Sequence, residues 1–338
     1  MKSGDVFAFV DRHAEIILLL VISSGLVYAP TLSGQTPIPT LREAAEAGNT
    51  DAQLQLGRAY FNGTDVPQDL AEGVSWYRRS ANGGNAAAQA ALGSVYYNGI
   101  SVTQDYAESV RWFRKAADSG NADGQSMLGF SYYFGHGVRQ DYAESARWFR
   151  KAAEAGDIGA QSALGEAYYE GKGVPQNYTE AAVWLRKAAE AGNARAQFVL
   201  GGAYHLGNGV PKNDSESISW LSKSADGGDS GAQLMLGLSY SFGIGVKRDY
   251  AESVRWFRKA AEAGEAGAQF YLGRAYYQGE GVPQNYVLAH MWVNLSASSG
   301  SGDEQEKGAK LRDEIAQKMT PQQIAEAQQM AAEWKPKK

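Results

Sequence analysis

Four histidines, a set of regularly spaced acids and a recurring Gly-x-Gly turn are the features of this 338-residue chain that could do chemistry. A metal needs several ligands converging at fixed short distances. Of His13, His136, His205 and His290, the last three fall at different positions of the internal repeat described below, so they do not converge on one ion. The chain has no Cys, which excludes disulfides, thiolate ligands, a Cys nucleophile and a lipidated N-terminal Cys. A phosphate-cradling loop follows a strand and carries Gly-Lys-Ser/Thr. Here the Gly-x-Gly turns follow helical patterns, and no Gly-Lys-Ser/Thr occurs. Asp118, Glu154, Glu190 and Glu262 lie four residues after Arg114, Arg150, Arg186 and Arg258, the spacing of surface ion pairs on a helix. No carboxylate pair, nucleophile or base stands apart from the repetition. The residues therefore indicate no enzyme, no cofactor and no metal.

The formal net charge is -5, with acids and bases spread along the chain. A nucleic-acid binder presents a basic face, because phosphate neutralisation dominates its affinity. None is visible, which argues against DNA and RNA and leaves another protein as the partner class.

The elements that must position any site are set by repetition. Trp76, Trp112, Trp148, Trp184, Trp220, Trp256 and Trp292 follow one another at 36-residue steps. The same step carries Gln53 to Gln269, Leu56 to Leu272, Gly57 to Gly273, Tyr60 to Tyr276, Gly63 to Gly279 and Gly84 to Gly300. Seven units result: 49–84, 85–120, 121–156, 157–192, 193–228, 229–264 and 265–300. In the fourth, Ala160, Leu164 and Tyr168 recur at four-residue steps and share one helix face. Gly165 inside that helix costs about 1 kcal/mol against Ala, and its recurrence predicts a close helix approach. Gly171 to Pro175 ends the first helix. Asn177 and Glu180 predict an N-cap and a capping-box partner for a second helix that buries Tyr178, Ala181, Trp184, Leu185 and Ala188. Gly192 closes it and Asn193 opens the next unit. Neither helix buries its stripe alone; stacked neighbours do.

The ends depart from the repeat, as solenoid ends must. Residues 35–48 form a partial repeat, in which Leu41 to Gly48 resembles Leu185 to Gly192. Residues 301–338 predict two capping helices, about Asp303 to Met319 and Thr320 to Trp334, with a frayed Lys335 to Lys338 tail. Thr320, Pro321 and Gln323 read as N-cap, first-turn proline and box partner. Residues 1–34 read as a leader. Its apolar run, Ile16 to Ala29, is short for a membrane span of about 20 residues and suits an export signal. Asp5, Asp11 and Glu15 outnumber Lys2 and Arg12 in its flank, against a good signal. Val27-Tyr28-Ala29 precedes Pro30, which blocks cleavage there, and Gly34-Gln35 is an alternative. The readings are an exported protein, periplasmic or secreted, an inner-membrane anchor formed by residues 16–29, or a misassigned start.

The motif A-x-x-x-L-G-x-x-Y-x-x-G-x-G-V-x-x-[DN]-x-x-x-A-x-x-W-x-x-x-A-A-x-x-G runs here through Ala160, Leu164, Gly165, Tyr168, Gly171, Gly173, Val174, Asn177, Ala181, Trp184, Ala188, Ala189 and Gly192. It resembles the Sel1-like repeat family, a relative of the tetratricopeptide repeat, whose own period is 34. Units one and two depart at the second loop glycine (Asp65, Ser101), which predicts differently shaped loops. The Met319-Thr320-Pro321 cap is similar to that of bacterial members. The resemblance implies an all-α, right-handed superhelix of seven helix-turn-helix repeats that serves as a protein-interaction scaffold or adaptor. Members with a disulfide in each repeat form a subgroup with proposed penicillin binding; this chain lacks their cysteines. A cell-envelope-associated enzyme or β-lactam-binding protein is the alternative, and it lacks a nucleophile and a base.

In such solenoids the first helices line the concave surface. On a helical wheel, the face opposite Leu164 and Tyr168 carries Glu166 and Tyr169. Its counterparts are Arg58 and Phe61; Tyr97; Phe130, Tyr133 and Phe134; Phe198 and His205; Leu238 and Phe242; and Phe270, Arg274 and Tyr277. This face is too aromatic for one that merely meets water. It reads as a groove for a partner peptide or helix, with Arg58, Glu166 and Arg274 as polar anchors. The competing reading is that the recurring tyrosines pack between units.

Overall fold

The computed structural model describes residues 37–300 and 302–337. The leader, residues 1–34, lies outside these, and so do the alternatives for it. Among the described residues there are seventeen α-helices and no strand. They are α1 (Ile38–Glu46), α2 (Thr50–Asn62), α3 (Leu70–Asn82), α4 (Ala86–Asn98), α5 (Tyr106–Asp118), α6 (Ala122–Phe134), α7 (Tyr142–Glu154), α8 (Ile158–Glu170) and α9 (Tyr178–Glu190). There follow α10 (Ala194–Leu206), α11 (Asp214–Asp226), α12 (Ser230–Phe242), α13 (Tyr250–Glu262), α14 (Ala266–Gln278), α15 (Tyr286–Ser299), α16 (Asp303–Ala316) and α17 (Pro321–Glu333). The even-numbered helices α2 to α14 open the repeats and are called A helices; their partners α3 to α15 are B helices. The chain divides into two compact units, one ending at Ala188 and the other starting at Ala189. Each is an all-α solenoid stack.

In the first unit, the buried Leu92, Leu128 and Leu164 of successive A helices join Trp112, Phe113, Trp148 and Phe149 of the B helices in one core. The helical glycines make the close approach that their recurrence predicts. A Cβ on Gly129 would stand 2.6 Å from the Phe149 ring, and one on Gly165 would stand 2.7 Å from Leu185 Cγ. The recurring glutamine also has a physical role. Gln53, Gln89, Gln125 and Gln161 donate their side-chain amides to Ala45 O, Ala81 O, Ala117 O and Ala153 O at 2.9–3.3 Å. These carbonyls sit in the last turn of the preceding helix, beyond its regular ladder. Each also accepts the backbone N–H of the glycine three residues on, as Ala45 O does from Gly48 N at 3.1 Å, and the glutamine takes the second lone pair. The second unit repeats this with Gln197, Gln233 and Gln269 on Ala189 O, Ala225 O and Ala261 O.

Capping follows the expected residues but not every expected bond. Asn49, Asn85, Asn121 and Asp157 cap the A helices of the first unit, each accepting a backbone N–H three residues on. Asp69, Asp105 and Asp141 cap the B helices in the same way. The capping-box glutamates turn elsewhere: Glu72 accepts from Trp76 Nε1 at 2.9 Å, and Glu216 from Trp220 Nε1 at 3.0 Å. Where an arginine stands three residues after the glutamate, it takes the carboxylate instead. Arg111 pairs with Glu108, Arg147 with Glu144 and Arg255 with Glu252. The indole nitrogens of Trp112, Trp148 and Trp256 are then buried without a hydrogen-bond partner. The reciprocal box does form at Thr320 and Gln323, with Pro321 in the first turn.

Three further expectations are corrected. The arginines placed for i,i+4 pairing reach the next repeat: Arg114, Arg150 and Arg258 donate to the hydroxyls of Tyr132, Tyr168 and Tyr276 at 2.5–2.8 Å. An exposed helical ion pair is worth only a few tenths of a kcal/mol, so it competes poorly with such a bond. Asp65 and Ser101 do not reshape their loops. They adopt φ of 60° and 54°, close to the 72° of Gly137 and 74° of Gly173, and bear the left-handed strain themselves. The tail is held as far as Lys337, the last described residue. Lys337 N donates to Glu262 O at 2.8 Å, its ammonium pairs with the Glu262 carboxylate at 2.9 Å, and Pro336 rests on Gly264. Trp334 meets Trp292 edge-on at 6.1 Å. Earlier repeats carry a cation over the equivalent indole, Arg79 over Trp76 and a lysine in the others, as Lys151 lies over Trp148 at 4.2 Å; Leu295 cannot, so Trp292 accepts Trp334.

Candidate functional site

Each A helix ends in a turn that faces the start of its own B helix. In the first unit this corner is filled by rings. Tyr97 packs against Tyr106 with centroids 5.0 Å apart, Tyr133 against Tyr142 at 5.2 Å, and Tyr169 against Tyr178 at 5.0 Å. The opening repeat has Phe61, which packs on Tyr77 at 5.8 Å. Desolvation pushes the Tyr77 phenol well above its usual range, and the nearby Arg58 charge partly opposes this.

The corner is joined to the following repeat through the middle residue of its Gly-x-Gly loop, 39 positions further on. Tyr97 Oη shares a hydrogen bond with His136 Nδ1 at 2.6 Å. His136 also stacks on Tyr106 at 4.8 Å and on Phe134 at 5.5 Å. Lys172 Nζ donates to Tyr133 Oη at 3.5 Å and pairs with Glu170 at 2.9 Å. Burial raises the Tyr133 phenol, and the Lys172 charge works against that rise. Phe134 meets Tyr133 edge-on at 4.9 Å. Ser162 Oγ donates to Glu166 at 3.4 Å.

In the second unit the corner changes chemistry. His205 and Asp214 replace the ring pair and bond through Nδ1 and Oδ1 at 2.7 Å. Ser241 then stands where the neighbouring repeats have His205 and Tyr277. Beside it lies a shallow opening lined by Ser241, Phe242, Tyr250, Phe257, Tyr271, Arg274 and Glu280, among others. Phe242 is the most exposed large apolar side chain of the described residues, at 57%. Arg274 Nε donates to Gln278 at 3.0 Å. At the last repeat the ring returns: Tyr277 packs on Tyr286 at 5.9 Å, donates to Glu314 at 2.7 Å and carries Lys318 over its face. The Tyr277 hydrogen bond raises the Lys318 ammonium.

The fifteen residues that the sequence singles out thus separate by accessibility. Phe61, Tyr97, Phe130, Phe198 and Leu238 are buried, at 6–9% exposure. Phe130 packs edge-on against Phe149 at 4.8 Å, so it belongs to the core. These five support the face and do not offer contact area. Arg58, Tyr133, Phe134, Glu166, Tyr169, His205, Phe270, Arg274 and Tyr277 are half-buried, and Phe242 is exposed. Sequence reasoning passed over the loop residues His136, Lys172 and Glu280. The signal was present: within Gly-x-Gly the middle residue runs His136, Lys172, Asn208, Ile244 and Glu280, varying between invariant neighbours.

Comparison with known proteins places this architecture. A family model described as Sel1 repeat matches seven consecutive segments: 50–85, 86–121, 122–157, 158–193, 194–229, 230–265 and 266–301. The crystal structure of a Sel1 repeat protein from Oxalobacter formigenes is similar, with 31% identity over 91% of this chain and 89% of that one and a TM-score of 0.64. That of c5321, described as a protective antigen of uropathogenic Escherichia coli with an SLR fold, has 30% identity over 88% of this chain and 86% of that one, at a TM-score of 0.49. The secretory immunoglobulin A-binding protein EsiB of Escherichia coli is 41% identical over 65 residues, 18% of this chain. Those residues span 13% of EsiB's own length.

Proposed function

The chain belongs to the Sel1-repeat family, and on that footing we propose that it is a non-enzymatic scaffold that holds a peptide or helix of a partner protein along its A-helix face. The observation that carries this reading is the contrast between invariant and variable positions. Leu, Gly, Gln and Trp recur because they build the stack. The half-buried Tyr133, Phe134, Glu166 and Tyr169, and the loop residue Lys172, combine rings with opposite charges on one edge of the first compact unit. Partly exposed aromatic rings with adjacent charged groups are what anchors of protein interfaces are made of. An exported setting belongs to the same proposal. The apolar run of residues 16–29 supports it, as does the similarity to a protein named for binding secretory immunoglobulin A.

The test is affinity capture with the full chain beside a Phe134→Ala/Tyr169→Ala variant whose helicity and melting match wild type. The reading expects a protein held by wild type and lost from the variant. Retention of the same protein by both would move the contact off this face. Fractionation of native cells tests the setting, with recovery outside the cytoplasmic fraction as the expected result.

A further inference from the structure

The corner between A and B helices shows, repeat by repeat, what its space is shaped to hold. Tyr97, Tyr133, Tyr169 and Tyr277 each place a phenol edge-on or tilted against the first-turn tyrosine of the B helix, at 5.0–5.9 Å. For three of them a polar side chain from the following element meets the hydroxyl: His136, Lys172 and Glu314. The sixth repeat keeps the receptor and lacks the ring. Tyr250 is the first-turn tyrosine, Ser241 stands where the phenol would be, and Glu280 occupies the loop position of His136 and Lys172.

We propose that this corner is a docking pocket for a tyrosine side chain of a partner protein. The incoming ring takes the place vacant at Ser241 and packs against Tyr250, and its hydroxyl donates to the Glu280 carboxylate. The opening is shallow, and Phe242, 57% exposed, stands at its mouth; entry of the ring requires the Phe242 side chain to turn aside. Two cations flank it: Arg274 in the wall, and Arg248, whose guanidinium lies 5.4 Å over Tyr250. Arg248 stands where Gln104, Gln140 and Gln176 bind the backbone below Tyr97, Tyr133 and Tyr169. The cations select a tyrosine carried on an acidic segment, because a basic one meets like charge. This rests on the scaffold reading and gives it a recognition element.

The probes are p-cresol and toluene, with N-acetyl-Glu-Tyr-Glu-amide and N-acetyl-Lys-Tyr-Lys-amide for the rim, titrated into the full chain and followed by amide and methyl chemical shifts. Cresol should shift resonances around Ser241, Tyr250 and Glu280 and bind about 10-fold more tightly than toluene, roughly one hydrogen bond's share. Glu280→Ala should remove that preference, and the acidic peptide should bind more tightly than the basic one. Ser241→Tyr should fill the corner from within, raise the melting temperature and abolish cresol binding, while Ser241→Ala should leave binding intact. Cresol that shifts nothing, binds Ser241→Tyr equally well, or shows no preference over toluene overturns the pocket. So does a Ser241→Tyr chain that melts lower, since the space then does not accept a phenol. A protein captured equally by wild type and Ser241→Tyr refutes the pocket but keeps the scaffold; cresol binding without any captured protein does the reverse.

Discussion

Removing a salt bridge should stabilise this protein. In the repeat around Trp148, Arg147 and Glu144 pair at 2.9 Å with side-chain exposures of 59% and 35%. Such an exposed pair is worth about 0.2–1 kcal/mol. Arg147 also lies 5.4 Å over the Trp148 ring, a contact worth about 0.5 kcal/mol at an exposed site. Against this stands the buried Trp148 Nε1, which has no acceptor. Leaving a buried donor unpaired costs about 1–3 kcal/mol. The repeats around Trp76 and Trp220 show the alternative, for they carry Ser75 and Ser219 in place of the arginine and their glutamates accept from the indole. Arg147→Ala should therefore release Glu144 to Trp148 Nε1 and gain about 0.5–1 kcal/mol on balance. Lys151 stays over the ring in either case. Urea denaturation of the full chain reads the stability, and the Trp148 indole proton, resolved in a nitrogen-15 spectrum, should move downfield. Arg111→Ala and Arg255→Ala repeat the experiment at Trp112 and Trp256. A loss of stability with an unmoved indole proton would refute the reasoning, because the ion pair would then outweigh the orphaned donor.

The other predictions test single positions. Burial raises the Asp157 carboxyl above its usual range, while Ala160 N and Ser126 Oγ pull it back. The folded chain thus holds this proton longer than the unfolded one, and stability falls as pH rises from about 3.8 through the raised value. Asp157→Asn keeps the cap acceptor, as Asn121 does, so it should erase that slope and stabilise at pH 7; Asp157→Ala should cost about 1 kcal/mol. Ser101→Gly should gain about 0.5–1 kcal/mol in the melt by relieving a left-handed residue, and Gly137→Ala should lose more than that, since its Cβ would run into the Tyr106 carbonyl. Burial lowers the His290 imidazole, with Arg312 adding to the effect. The unfolded chain then takes up the proton first, and stability drops as pH falls through 6.5. His290→Met should flatten urea midpoints between pH 7.5 and 5.0 and gain about 1 kcal/mol at the upper end by removing a buried Nδ1 without a partner.

The fold was legible because its determinants are local and sevenfold. Leu164 and Gly165 report the same burial at every step, the repeat tryptophan is buried in every unit but the fourth, where Trp184 is half-buried, and Asn121 or Asp105 at a helix start needs no tertiary knowledge to read. What escaped was decided by competition. Nothing in the spacing of Arg114 and Asp118 says that Tyr132 of the next repeat is a better acceptor, because that choice depends on stacking distance. Glu144 could have served a cap, an indole or an arginine, and only the three-dimensional arrangement ranks them. The candidate face suffered from the same limit. A helical wheel places Phe130 and Phe198 opposite the leucine stripe, yet in a stack both sides of an A helix meet other helices, so these rings are core. The variable loop residues were readable by contrast with their invariant neighbours, and two of them, His136 and Lys172, touch the preceding corner.

The departures from the repeat in the second compact unit share a logic that can be tested. Arg78, Arg114, Arg150 and Arg258 each bridge to the tyrosine of the next A helix. Ser222 holds the corresponding place before Tyr240 and cannot reach it. Within two repeats the chain has thus exchanged a bridging arginine for Ser222, a corner ring pair for His205 and Asp214, and a phenol for Ser241. Repeat stability is a sum of internal and nearest-neighbour terms, so each exchange weakens one interface without unfolding the stack. Ser222→Arg should restore a bond from Arg Nη2 to Tyr240 Oη and add about 0.5–1 kcal/mol. Hydrogen exchange should report the gain in α12 and α11 while α15 and α16 stay unchanged. A gain spread over every helix would mean that the unit opens as one body, and the softness ascribed to this stretch would then have no local meaning.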